Sequence, residues 1–182
     1  MKTIFALLCI PLVGSLCFAQ VAPSDTISVT VGTGSAACTF TPSSIMDGFT
    51  NPITLPPPIG GGSGRATFGP VTIVKNVDHC SVPLVVDLVE VKIIPAVTIN
   101  ITATGASPTL VLTIKLANAA VTSLSDSDSA GDHAPTEKVS LVYETITIAQ
   151  PPNLSSNPPF GGLWVKCSLV TNTCSSGSGM AP

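Results

Sequence analysis

This 182-residue chain has little charge: Asp, Glu, Lys and Arg make up only 9% of it, with 7 Lys or Arg against 10 Asp or Glu. A formal net charge of −3 leaves no basic surface for nucleic acid, whose phosphates must be met by Lys and Arg. Imidazoles are equally scarce, His79 and His133 being the two present. A Ser-His-Asp hydrolase would need one of them oriented by a carboxylate. No Gly-x-Ser-x-Gly elbow exists, however, and the adjacent pairs Asp78-His79 and Asp132-His133 do not face each other. The acids cluster in one loop, where no burial would raise a carboxyl pKa for glycoside chemistry. The chain thus shows no catalytic set and implies no cofactor. Its glycine-rich "PPPIGGGSG" lacks the Lys-Ser/Thr ending of a phosphate-binding loop.

Long apolar runs are also missing. The longest, "IFALLCIPLVGSL", has about 13 residues against the roughly 20 that cross a bilayer as a helix, so no membrane span is expected. It follows Lys2 and precedes "CFAQ", where Cys17 and Ala19 occupy the −3 and −1 places of a signal-peptidase site. Residues 1–19 therefore read as a secretory signal peptide, and the mature chain as secreted or periplasmic. Leu16 stands before Cys17 where a lipobox has Gly or Ala, which argues against a lipid anchor.

Four cysteines remain in the mature chain: Cys38, Cys80, Cys167 and Cys174. An even number in an exported protein reads as disulfides. Cys167 and Cys174 are close enough to close a local loop, leaving Cys38 for Cys80, although three pairings are open. A zinc site is the rival, but there is no Cys-x-x-Cys, and neither histidine stands at ligand spacing from a pair.

What is abundant is Val, Thr, Ile, Ser, Gly and Pro, which suits strands and turns. "DTISVTV" from Asp25, "ACTF", "RATFGPVTIVKNV", "AVTINITA", "TLVLTIKLANAAVTSLS" and "EKVSLVYETITI" all read as strands. Asn118 and the alanines after it suggest a bulge where the longest strand changes sheet. In the last strand Val139, Leu141 and Tyr143 share one face and Val142, Ile146 and Ile148 the other, which predicts a strand covered on both sides. "DHCSVPLVVDLVEVKII" reads as a short helix, with Asp78 or Ser81 accepting from free backbone donors, Pro83 in the first turn, and Leu84, Leu88 and Val91 inward. Between Thr41 and Gly64, prolines and glycines make a long loop. After Gln150 comes a Pro- and Ser-rich tail with one apolar patch, Leu163 to Val165.

Asp126, Asp128, Gly131 and Glu137 fit the first, third, sixth and twelfth places of a calcium loop. Ala130 replaces the fifth oxygen ligand, and Glu137 opens a strand where a calcium loop has a helix. The stretch reads as a solvated hairpin turn; calcium on Asp126, Asp128, Asp132 and Glu137 is the alternative.

The phrases "GPVTIVKNVDHCSVPLVVDL", with Lys-x-Val-Asp followed by x-x-Ser-x-x-Leu, and "LTIKLANAAVTSLS", then a Ser/Asp/Gly turn, then "PTEKVSLVYETITI", occur in the order and spacing of a known family. The chain from Arg65 to Ile148 resembles the Hcp family, the tube proteins of bacterial type VI secretion. The resemblance implies a mainly β fold, a small β-barrel of two antiparallel sheets with one short flanking α-helix. It also implies a homo-oligomer, a hexameric ring that stacks into a tube, with secretion-apparatus or effector partners and no catalysis. The resulting layout is a signal peptide at 1–19, a barrel at 20–150 and a tail with a cysteine loop at 151–182. The alternative function is a monomeric secreted binding module that uses the proline-glycine loop or the tail.

Overall fold

The computed structural model describes residues 25–42, 53–54, 67–104, 108–127, 135–152 and 161–181. The signal-peptide segment and most of the proline-glycine loop lie outside them. Strand β1 (Thr26–Val31) buries Ile27, Val29 and Val31 at every second residue, as strand geometry requires. β2 (Cys38–Phe40) follows, then the short β3 (Ile53–Thr54) and β4 (Thr67–Phe68), which among the described residues pair with each other as a separate small sheet. β5 (Val71–Asn76) leads into helix α1 (Ser81–Val89). β6 (Ile94–Ala103), the long β7 (Thr109–Ser127) and β8 (Thr136–Gln150) make a meander, and β9 (Leu163–Ser168) and β10 (Thr173–Ser178) form a last hairpin.

Eight of these strands make one antiparallel sheet. Its order is β10-β9-β8-β7-β6-β1-β2, with β5 also paired to β8. The fold is mainly β with one helix, but the hydrogen-bonded ladder does not close among the described residues. The mainly β, antiparallel fold with one short flanking helix is as expected; its strands form one eight-stranded sheet and the small β3–β4 pair, and the long β7 and β8 serve both halves of the larger sheet. The first half of β8 (136–141) pairs with β5 and the second half (145–150) with β9, on the same edge. The tail hairpin thereby extends the sheet.

The bend lies at Asn118 and Glu144. Asn118 has φ 50°, a left-handed conformation that Asn tolerates better than most residues, and its Nδ2 donates to Glu144 Oε2 at 2.7 Å. On β7 the buried positions change from Ile114 and Leu116 to Ala119 and Val121; on β8 they change from Leu141 and Tyr143 to Ile146. The buried positions of β8 change parity at the bend, and beyond it the neighbours Ile146 and Thr147, on opposite faces, are both buried. Val142 is 44% exposed, so the cover expected on both faces of this strand does not extend to its first half among the described residues.

Helix α1 packs its inner face, Ser81 and Leu84, against the sheet. Asp78 Oδ1 accepts from the Cys80 N–H at 2.8 Å and Ser81 Oγ from the Asp78 N–H at 2.9 Å, which satisfies donors at the helix start. At its other end Lys92 N–H donates to Asp87 O and Val91 N–H to Leu88 O, the paired bonds of a Schellman cap. Val91 is thus the left-handed cap residue, with φ 51°, and is 74% exposed. It does not extend the inward line of buried Leu84 and half-buried Leu88, because the helix ends before its turn would bring it inward.

Candidate functional site

The alternation of β5 places Lys75 on the same buried face as Val71 and Ile73. An ammonium there must be matched, because burying an unpaired ion costs several kcal/mol. Register puts Glu137 directly across the ladder on β8, and the two side chains, 0% and 1% exposed, form an ion pair. Lys75 Nζ also donates to Asp78 Oδ1 at 2.8 Å, Ser81 Oγ at 3.1 Å and the Asn76 carbonyl at 2.9 Å. Ser81 Oγ in turn donates to Glu137 Oε1 at 2.7 Å. The ammonium lies 5.0 Å from the centroid of the Phe40 ring, a cation–π contact. Every proton on Lys75 has an acceptor, and water is excluded.

The residues of the three sequence phrases meet in this cluster: Lys75 and Asp78 from Lys-x-Val-Asp, Ser81 from the opening of the helix, Glu137 from Pro-Thr-Glu. Their spacing in the chain carries the resemblance; their contact does not follow from spacing. The signal available beforehand was a lysine in phase with two buried strand residues. Chemically the cluster is a closed clamp. It locks β5, the turn at 77–80 and the start of β8 together, and so fixes the direction in which α1 leaves the sheet.

The outer face of that helix is apolar. Val82, Val85, Val86 and Val89, at i, i+3, i+4 and i+7, form a stripe directed to solvent, continued by Val91 and Ile93. Beside it a pocket of about 490 Å³ lies between α1 and the Val31–Cys38 stretch, with Val82, Val86, Ile93, Cys38 and Cys80 in its wall.

Among the calcium candidates, Asp126 is exposed at the end of β7, across the ladder from Glu137, while Asp128 and Asp132 lie outside the described residues. The Glu137 carboxylate is engaged by Lys75 and Ser81. The cysteines pair as Cys38–Cys80, Cα atoms 5.8 Å apart, and Cys167–Cys174, which face each other across the β9–β10 hairpin. His79 Nε2 lies 3.5 Å from Cys80 Sγ, which corrects the expectation that no histidine stands near a cysteine pair. His133 lies outside the described residues. Burial pushes the Tyr143 phenol up to about 12, and its hydroxyl donates to the Gly69 carbonyl at 3.1 Å. Among the described residues, no helix is long and apolar enough to cross a membrane.

The family model described as "Type VI secretion system effector, Hcp" matches residues 48–149. A solved "type six secretion system protein" is similar with TM-score 0.69 at 18% identity, over 82% of this chain and 99% of its own. Hcp1 from Salmonella typhimurium is similar with TM-score 0.64 at 16% identity, over 84% and 99%. The secreted protein Hcp3 from Pseudomonas aeruginosa is similar with TM-score 0.55 at 16% identity, over 86% and 99%. No curated protein matches the chain. At these identities the solved structures establish a shared fold, while the family model covers more than half of the sequence and takes in helix α1, nearly all of the β6–β8 meander and all four clamp residues, Lys75, Asp78, Ser81 and Glu137. The chain belongs to the Hcp family of type VI secretion tube proteins.

Proposed function

We propose that the mature chain is a non-enzymatic subunit that assembles with copies of itself into rings, six-fold as the family resemblance implies, and that these rings stack. The observation that carries the reading is the apolar stripe on α1. A helix this short normally turns such spacing inward; here Val82, Val85, Val86 and Val89 face out while Ser81 and Leu84 face in. Val91 adds to it. A β-branched residue in a left-handed cap is strained, and strain of this kind persists where a contact repays it. The clamp around Lys75 holds the stripe in a fixed orientation, so the surface is preorganised for a second copy. Export through residues 1–19 and partners drawn from a secretion apparatus or its effectors complete the proposal.

Size-exclusion chromatography with light scattering on the mature protein tests it. The expected result is a mass that is a multiple of the protomer, with rings visible by electron microscopy. Val85→Asp with Val89→Asp should reduce that mass to one protomer while leaving the circular-dichroism spectrum unchanged, since both side chains are exposed. A strict monomer at high concentration would overturn ring assembly and favour the monomeric binding module.

A further inference from the structure

The Cys38–Cys80 bridge lies where three soft donors meet. One ligand atom from each of Cys38, His79 and Cys80 lies within 4.8 Å of the other two, and His79 Nε2 is 3.5 Å from Cys80 Sγ. Tetrahedral zinc, with bonds of about 2.3 Å to sulfur and 2.0 Å to nitrogen, separates its ligands by about 3.5 Å for S···N and about 3.8 Å for S···S. The imidazole and the Cys80 sulfur already stand at the first spacing. The two sulfurs part when their bond is broken, and the Cys38 sulfur and the imidazole, within 4.8 Å of each other, close to the S···N spacing as the metal binds.

The donors remain together without that bond because each is held by something else. Cys38 belongs to β2, tied to β1 by its ladder and by the Thr30–Thr39 hydroxyl contact of 2.9 Å. His79 and Cys80 belong to the turn that Asp78, Ser81 and Lys75 fix. Both cysteines line the pocket of about 490 Å³, which admits a small reductant and leaves room for water as a fourth ligand. His79 is exposed beside them, its Nε2 already next to the Cys80 sulfur.

We propose that in a reducing environment this bridge becomes a zinc site, with Cys38 Sγ, Cys80 Sγ and His79 Nε2 as ligands and a water completing the tetrahedron. A dithiol supplies the two electrons and two protons that turn the bridge into two thiols, and is itself oxidised to a disulfide. Zn²⁺ then displaces both thiol protons to solvent and binds the neutral imidazole. The same three residues thus close the β2–α1 junction in either redox state, by a covalent bond or by a metal. This inference does not depend on ring assembly.

The test uses the mature chain carrying Cys167→Ser and Cys174→Ser, so that one bridge remains, reduced with a phosphine and titrated with Co²⁺ as an optical probe. The expected result is one equivalent bound, with a thiolate-to-cobalt band in the near ultraviolet and tetrahedral bands in the red, both erased by Zn²⁺. The oxidised chain should show neither, and His79→Gln should weaken binding at least ten-fold and shift the red bands. If the double serine variant does not fold, His79→Gln in the otherwise unchanged chain gives the same comparison. Three outcomes overturn the proposal: no thiolate band on reduction, a band unaltered by His79→Gln, or a reduced chain that loses its fold and does not regain it with metal.

Discussion

Lys75 and Glu137 stand opposite each other on β5 and β8 and share an ion pair from which water is excluded. Such a pair contributes less by its attraction than by the penalty of separating it. Lys75→Met should cost about 3–5 kcal/mol, because Glu137 is left charged and buried. Lys75→Met combined with Glu137→Leu should recover most of that loss. Urea unfolding of the single and double variants measures the coupling; additive losses would mean that the two side chains act independently.

Val91 occupies the left-handed position of a helix cap that glycine fills without strain. Val91→Gly should therefore stabilise the isolated chain by about 1 kcal/mol, raising Tm by a few degrees. It should also weaken self-association, since it removes an exposed apolar side chain beside the valine stripe. Thermal melts of the dissociated protein and light scattering of the assembled one separate the two effects. A Val91→Gly chain that is less stable would show that the cap is not strained.

Tyr143 is the one tyrosine of the chain, so its ionisation can be followed by absorbance without interference from another phenol. Its folded value of about 12 lies above the ordinary 10.0 because burial disfavours the phenolate. The folded state thus holds the proton more tightly than the unfolded state does. The stability linked to this group is fully present below about pH 10 and is lost as pH rises toward about 12. A titration curve centred near 10 in folded protein would contradict the burial.

The two disulfides close loops of very different size, with sequence separations of 42 and 7. Chain entropy predicts that replacing Cys38 and Cys80 by alanine costs about 4 kcal/mol, and replacing Cys167 and Cys174 about 2.5 kcal/mol. Guanidinium unfolding of the two double variants should preserve that order. The reverse order would mean that the β9–β10 hairpin depends on its bridge for more than loop closure.

Apart from the two-residue β3, which falls in the stretch read as a loop, the strands from Asp25 to Ile148 were legible because period-2 alternation records one buried face, and the helix was legible from its start, where Asp78, Ser81 and Pro83 each suit a first turn. The helix end was not. Val91 continues the apolar spacing, and only the backbone bonds of Lys92 and Val91 show that the chain has already turned. The hairpin after Gln150 was hidden for a different reason. "TCSSGS" has little strand propensity, and it forms β10 because β9 and the Cys167–Cys174 bridge hold it in register.

By itself the sequence determined the strand-rich class, the helix and the family, since these depend on residues near one another in the chain and on the order of short phrases. Tertiary structure alone decided which of those residues touch. Lys75 and Glu137 are 62 positions apart, and Cys38 on β2 comes within 4.8 Å of His79 in the turn before α1. The direction of the valine stripe was likewise decided by the clamp, because the same 3.6-residue spacing describes a helix whose apolar face points inward or out.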